Sequence, residues 1–168
     1  MDFSDAKQLA YDELEKWNLL EKGWVVKPTK GVTTAGRCVY AKKEIEISQP
    51  IFEHESYDFC LDTIRHEIAH ALDDSNDAPH GDTWKRLAVM VGCDPSATFD
   101  SEVVDKLILD RCKYVMVYGT KIVQTYMRKP NRKTILNIAD YWATGHKAET
   151  KGKLQIHVYD PNIHVERM

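Results

Sequence analysis

The segment best equipped for chemistry is His66-Glu67-Ile68-Ala69-His70. Two imidazoles four residues apart lie on one face of a helix, so each can turn a ring nitrogen toward the same divalent cation, and this is half of a zinc site. A catalytic zinc centre usually takes three protein ligands and leaves a position for water. His80 is the leading third ligand, because the polar loop after His70 is long enough to fold it back. Asp73, Asp74, His54 and Glu102 are weaker candidates. Glu67 adjoins a ligand but points at a different angle, which suits a base that takes a proton from a metal-polarised water rather than a ligand. One ion that both makes the nucleophile and stabilises the oxyanion points to amide hydrolysis. The blander alternative leaves His66 and His70 on an exposed helix face, with His80 as an ordinary loop or cap histidine. His146, His157 and His164 have no ligand spacing and read as surface or partly buried residues.

These groups need a helix and a cleft. Leu61, Ile64, Ile68 and Leu72 form an apolar stripe that predicts a helix from about Ser56 to Leu72, with His66 and His70 turned away from the stripe toward a neighbouring cleft. Asp73 to Pro79 reads as a loop. His80-Gly81-Asp82 then leads into a helix carrying Trp84, Leu87, Ala88 and Val91, closed by Gly92. Trp84 is expected in the core of that helix, or as a wall of the cleft. Upstream, Ser4 is a candidate N-cap, and Ala6, Leu9, Ala10, Leu14, Trp17 and Leu20 predict a helix to about Glu21, with Gly23 as its stop. Trp24–Val26, Cys38–Tyr40 and Ile45–Ile47 are short β-prone runs, predicting an antiparallel hairpin or a three-stranded sheet.

Downstream, a helix starting at Asp100 or Ser101 carries Val103, Val104, Leu107, Ile108 and Cys112. Tyr114–Tyr118 and Lys121–Met127 read as a hairpin about Gly119-Thr120, and Leu154–Tyr159 as a last strand. Ile135–Trp142 fits either strand or helix.

The 168 residues, 43% of them hydrophobic, fit one compact domain with room for a small appended lobe. Four cysteines stand singly without a C-x-x-C pair, which argues against a zinc ribbon or a redox motif and fits reduced thiols in a cytosolic protein. The first residues carry no basic and apolar leader, and no run approaches the ~18 apolar residues of a membrane span, so a cytoplasmic protein without membrane contact is expected. The net charge of -3 conceals an asymmetry. Residues 1–110 hold 12 Lys and Arg against 22 Asp and Glu, whereas residues 111–153 hold 10 against 2. An acidic body and a basic C-terminal lobe result, and the lobe is suited to a polyanion unless it is merely a solvated surface.

Thr63-Ile64-Arg65-His66-Glu67-Ile68-Ala69-His70-Ala71-Leu72, followed after a loop by His80-Gly81-Asp82-Thr83-Trp84-Lys85, resembles the SprT-like zinc metallopeptidase domain. Ala35–Tyr40 with Ile45–Ser48 is similar to that family's hairpin before the active helix, and Val91-Gly92-Cys93 to the close of its next helix. About residues 1 to 95 are covered. The resemblance implies an α+β, zincin-like core of helices on a small antiparallel sheet. It implies that His66, His70 and His80 bind Zn2+, that Glu67 is the catalytic acid/base, and that proteolysis takes place near DNA. Many relatives carry a C-terminal zinc ribbon, whereas Tyr114 to Tyr159 contains no cysteine. A SprT-like core over residues 1–112 and a basic, β-rich, ribbon-like lobe without structural zinc over 113–168 are therefore expected.

The leading expectation is a zinc endopeptidase acting on protein or peptide substrates, including proteins attached to DNA. Lysines and arginines such as Arg128, Lys133, Lys147 and Lys151, interleaved with Tyr118, Tyr126, Tyr141 and Trp142, would supply phosphate contacts and stacking faces. The alternative is a non-catalytic DNA- or protein-binding module that zinc stabilises. Hydrolysis of a small amide is a third reading. The sequence leaves the oligomeric state open.

Overall fold

The computed structural model describes residues 1–75, 78–96 and 101–168. Asp100, offered above as a helix start, and Asn76 and Asp77 of the loop after His70 lie outside the described residues. The chain divides into two compact units, Met1–Leu107 and Ile108–Met168.

In the first unit, α1 (Phe3–Lys16) is capped by Asp2, whose carboxylate accepts from Ser4 N. The cap is therefore Asp2 and not Ser4. α1 also stops five residues earlier than the apolar spacing predicts. Asn18 adopts φ +55°, and its N–H bonds Glu15 O while Leu19 N–H reaches Leu14 O. This pair of bonds is a Schellman stop, with Leu14 and Leu19 buried together across it. Asparagine tolerates the left-handed region well enough to end a helix that apolar periodicity alone would prolong.

β1 (Val25–Thr29), β2 (Gly36–Val39) and β3 (Glu44–Ser48) form a sheet in the order β1-β3-β2. β2 and β3 make the expected antiparallel hairpin, turned by a 3₁₀ segment at Tyr40–Lys42 and by Lys43 at φ +55°. β1 pairs parallel with β3, Val26 opposite Ile45, so the sheet is mixed. β2 is left as one edge. Ile45 and Ile47 point into the core.

Ser48 then caps the short α2 (Gln49–Phe52), its hydroxyl accepting from Ile51 N. Ser56 likewise caps α3 (Tyr57–Leu72), accepting from Phe59 N. The buried face of α3 is rotated from the predicted stripe. Ile64 and Ile68 are buried, but Leu61 and Leu72 are only half-buried, while Cys60, Thr63, Glu67 and Ala71 are covered instead. α1, β2 and α4 (Asp82–Val91) pack against α3, so its buried surface is wider than one stripe. Gly92, at φ +82°, ends α4 as expected.

α5 (Glu102–Arg111) follows, with Ser101 Oγ accepting from Val104 N, and the division between the units falls within it. In the second unit, β4 (Tyr114–Tyr118) and β5 (Lys121–Tyr126) form the expected hairpin, and β6 (Gln155–Val158) lies antiparallel on the other side of β4. Val115, Val117, Ile122 and Cys112 form its apolar cluster. The ambiguous segment is helical: α6 (Arg132–Leu136) begins where Asn131 Oδ1 accepts from Thr134 N, and a 3₁₀ turn at Ile138–Asp140 follows. A local cap thus decides a stretch whose periodicity does not. The last helix is α7 (Lys147–Thr150). No helix among the described residues is long and apolar enough to cross a membrane.

Candidate metal centre

α3 presents His66 and His70 one turn apart, with ring centroids 5.1 Å from each other. His80 comes from the turn before α4, where Gly81 N–H bonds Ala78 O and His80 itself is held at φ +61°. A histidine visits that region more readily than most residues, and here it directs the ring back at α3. His80 Nε2 lies 3.1 Å from His66 Nε2 and 3.0 Å from His70 Nε2.

Three ring nitrogens this close pose an electrostatic problem. A single proton on His80 Nε2 can bond one neighbour well but not both, and protonating all three would stack positive charges. A cation accepting three lone pairs resolves the conflict. A tetrahedral zinc would need nitrogens roughly 3.3 Å apart, and the three ligand atoms here all lie within 4.8 Å of one another. Burial and the neighbouring imidazole of His80 hold His66 down at about 4. His70 is also held at about 4, by burial and then by His66 and His80, with Asp73 opposing. Both rings are therefore neutral at pH 7, the form a metal needs.

Trp84, fully buried on α4, packs against all three rings. Its ring centroid lies 4.7 Å from His66, 4.5 Å from His80 and 5.2 Å from His70, stacked on the last at 30°. Of the two alternatives the sequence offered, the indole is the core residue: it backs the three rings from within and does not line the cleft.

Glu67 sits beside the triad at 7% exposure. Burial pushes its carboxyl up to about 7, and the Cys38 backbone N–H directed at it partly offsets that rise. All four groups open on one cleft of about 790 Å³, walled by β2 and the segment before it on one side and by Asp62 and Asp94 on another. Asp94 N–H bonds the Asp62 carboxylate and so ties the chain after α4 to α3.

Among the described residues, His66, His70 and His80 are the one group of three whose ligand atoms converge. The weaker candidates lie elsewhere or act otherwise. His54 Nδ1 pairs with Pro50 O, Asp73 caps the end of α3 and accepts from Ser75 N, and Asp74 and Glu102 are exposed. Two features of the site escape a linear reading. Gly36 looks like strand punctuation, yet its Cα lies against Glu67. Arg65 looks like surface charge, yet its guanidinium makes two 3.1 Å bonds to Glu13 of α1.

A family model described as SprT-like matches residues 7–103, more than half of the chain. This chain belongs to the SprT-like family. No curated protein matches it. The family is of metallopeptidase type, and the matched SprT-like span holds β2, α3, His80 and α4, that is, every part of the centre described above. It stops before β4, so the strands of the second unit lie outside the match.

Proposed function

We propose that this protein is a zinc-dependent endopeptidase in which His66, His70 and His80 hold Zn2+ and Glu67 is the general acid/base. The observation that carries the reading is the convergence of three imidazole rings, those of His66 and His70 held neutral, beside a buried carboxyl that opens on the same cleft. Bound there, Zn2+ supplies a Lewis acid that brings the pKa of a water toward about 7 and polarises the scissile carbonyl. Glu67 takes the proton of the attacking water on its carboxylate and delivers it to the departing amine nitrogen. A carboxyl lifted toward neutrality by burial suits both halves of that transfer. Trp84 and the packed face of α3 keep bulk water from the ligands' inner side, and the cleft leaves the other side open to a chain of substrate.

A centre serving stability alone, as in the alternative of a zinc-stabilised binding module, has no need of a buried carboxyl facing the ligands' open side. Burying a carboxyl is costly even with the Cys38 N–H directed at it, and is tolerated where the group has work to do. Substrates held on a polyanion such as DNA fit the second unit, which carries 11 Lys and Arg against 5 Asp and Glu.

The test is Glu67→Gln, which keeps shape and burial but cannot carry the proton. Zinc content by elemental analysis should stay near one ion per chain, while cleavage of an unstructured protein such as casein falls at least ~100-fold. Undiminished cleavage by the variant would refute the mechanism.

A further inference from the structure

β2 and α3 approach each other more closely at Gly36 than any residue with a side chain would allow. A methyl group at that position would lie 2.8 Å from Glu67 Cγ, 2.8 Å from Thr63 Cγ2 and 3.0 Å from Glu67 Oε1. Contacts below 3 Å between such atoms are repulsive, so one of these neighbours must move. Thr63 is β-branched and buried at 7% exposure, and such a side chain has few rotamers to escape into. The Glu67 side chain is as buried and borders the same cleft as Thr63, but it is unbranched and has more rotatable bonds. It therefore gives way first, by turning its carboxyl away from the β2 backbone.

We propose that Gly36 is a positioning residue: the missing side chain on β2 leaves the slot in which the Glu67 carboxyl is held against the strand and beside the three histidines. The Cys38 backbone N–H, two residues along β2, donates toward the same carboxyl and fixes its direction. One edge strand thus acts on Glu67 twice, by an absence at position 36 and by a donor at position 38. Gly36→Ala removes the first and, by displacing the carboxyl, the second. Because the cheapest relaxation is rotation of the flexible Glu67 side chain along the cleft it borders, the cost falls on orientation rather than on folding. Misplacing a reacting group by about 1 Å costs on the order of 100-fold in rate.

The inference rests on the peptidase reading, so its test needs a readout that does not. In the metal-free protein, ¹H–¹⁵N spectra of Gly36→Ala should show the Cys38 amide proton moving upfield and exchanging faster as it loses its acceptor. Amides of α1 should stay in place. In the zinc-loaded protein, kcat should fall roughly 10- to 100-fold with KM within about twofold of wild type and zinc content unchanged. Gly31→Ala, whose added methyl meets nothing within 4 Å, is the control and should match wild type throughout. Should Gly36→Ala not fold, Gly36→Ala/Thr63→Ser, which removes the second colliding methyl, is measured in the same way. Wild-type protein that cleaves nothing would sink the peptidase reading while the Cys38 amide still decides the geometry. An unmoved Cys38 amide, or a loss of activity that tracks a loss of zinc or of folded protein, overturns the role of Gly36.

Discussion

At the scale of single residues, the cleft sets how the half-buried thiol of Cys38 reacts. Burial, and secondarily the negative charge of Glu67, push that thiol up to about 12 from an ordinary value of 9.0. A raised pKa means less thiolate at any pH below it, and the thiolate is the form that reacts with alkylating agents. At pH 8 the reactive fraction falls roughly 1,000-fold below that of an unperturbed thiol. Iodoacetamide should therefore label Cys38 of the metal-free protein far more slowly than free cysteine, and the rate should keep rising about tenfold per pH unit beyond pH 9, where an ordinary thiol levels off. Glu67→Gln removes the smaller of the two causes, so labelling should speed up without reaching the free-cysteine rate. Peptide mapping by mass spectrometry across pH 7–10.5 reads both effects, and rapid labelling at pH 8 would contradict them.

At the scale of elements, Arg65 stands one residue before the first ligand and ties three helices together. Its guanidinium grips Glu13 of α1 with two bonds and reaches Gly92 O at the end of α4, 3.2 Å away. The Glu13 and Arg65 side chains are 10% and 22% exposed, against 18% and 65% for Glu46 and Arg37, which pair across β2 and β3. Solvent screens the second pair, and exposed pairs contribute about 0–1 kcal/mol. Glu13→Gln, which leaves a mostly covered guanidinium without its counter-charge, should cost about 2–3 kcal/mol in urea unfolding, and Arg37→Ala less than about 1 kcal/mol. Equal costs would show that burial does not separate the two. α3 and its ligand pair were legible in the sequence because a Ser cap, helical periodicity and a four-residue step are all local. The end of α1 was misread because Asn18 ends it through a backbone state that apolar spacing does not encode. The parallel pairing of β1, the rotated buried face of α3 and the contact of Gly36 with Glu67 depend on neighbours distant in the chain. No window of sequence contains both sides of those contacts.

At the scale of the whole molecule, charge is divided as the fold is. Met1–Leu107 carries 12 Lys and Arg against 21 Asp and Glu, and Ile108–Met168 carries 11 against 5. Within the second unit the cations gather at aromatic faces. Lys147 Nζ lies 4.5 Å and Lys151 Nζ 5.9 Å from the centroid of Trp142, itself 45% exposed, and Lys153 Nζ lies 6.0 Å from that of Tyr118. On the proposed reading of a polyanion-held substrate, a base of a single strand would stack on this exposed indole in exchange for the lysines, whose ammonium groups would turn to phosphates. If about four cations make such contacts on a single strand, log K should fall against log salt with a slope of about -3, since each contact contributes roughly -0.7. Trp142→Ala should weaken binding of a fluorescent oligonucleotide about 10-fold, through lost stacking, and leave the slope nearly unchanged. Lys147→Gln should instead reduce the slope by about 0.7, because a phosphate contact is lost and its counterion is no longer released. The two variants thus separate the stacking contribution from the electrostatic one. Affinity that holds constant through a fivefold rise in salt would remove the basic unit from any account of how substrates reach the cleft.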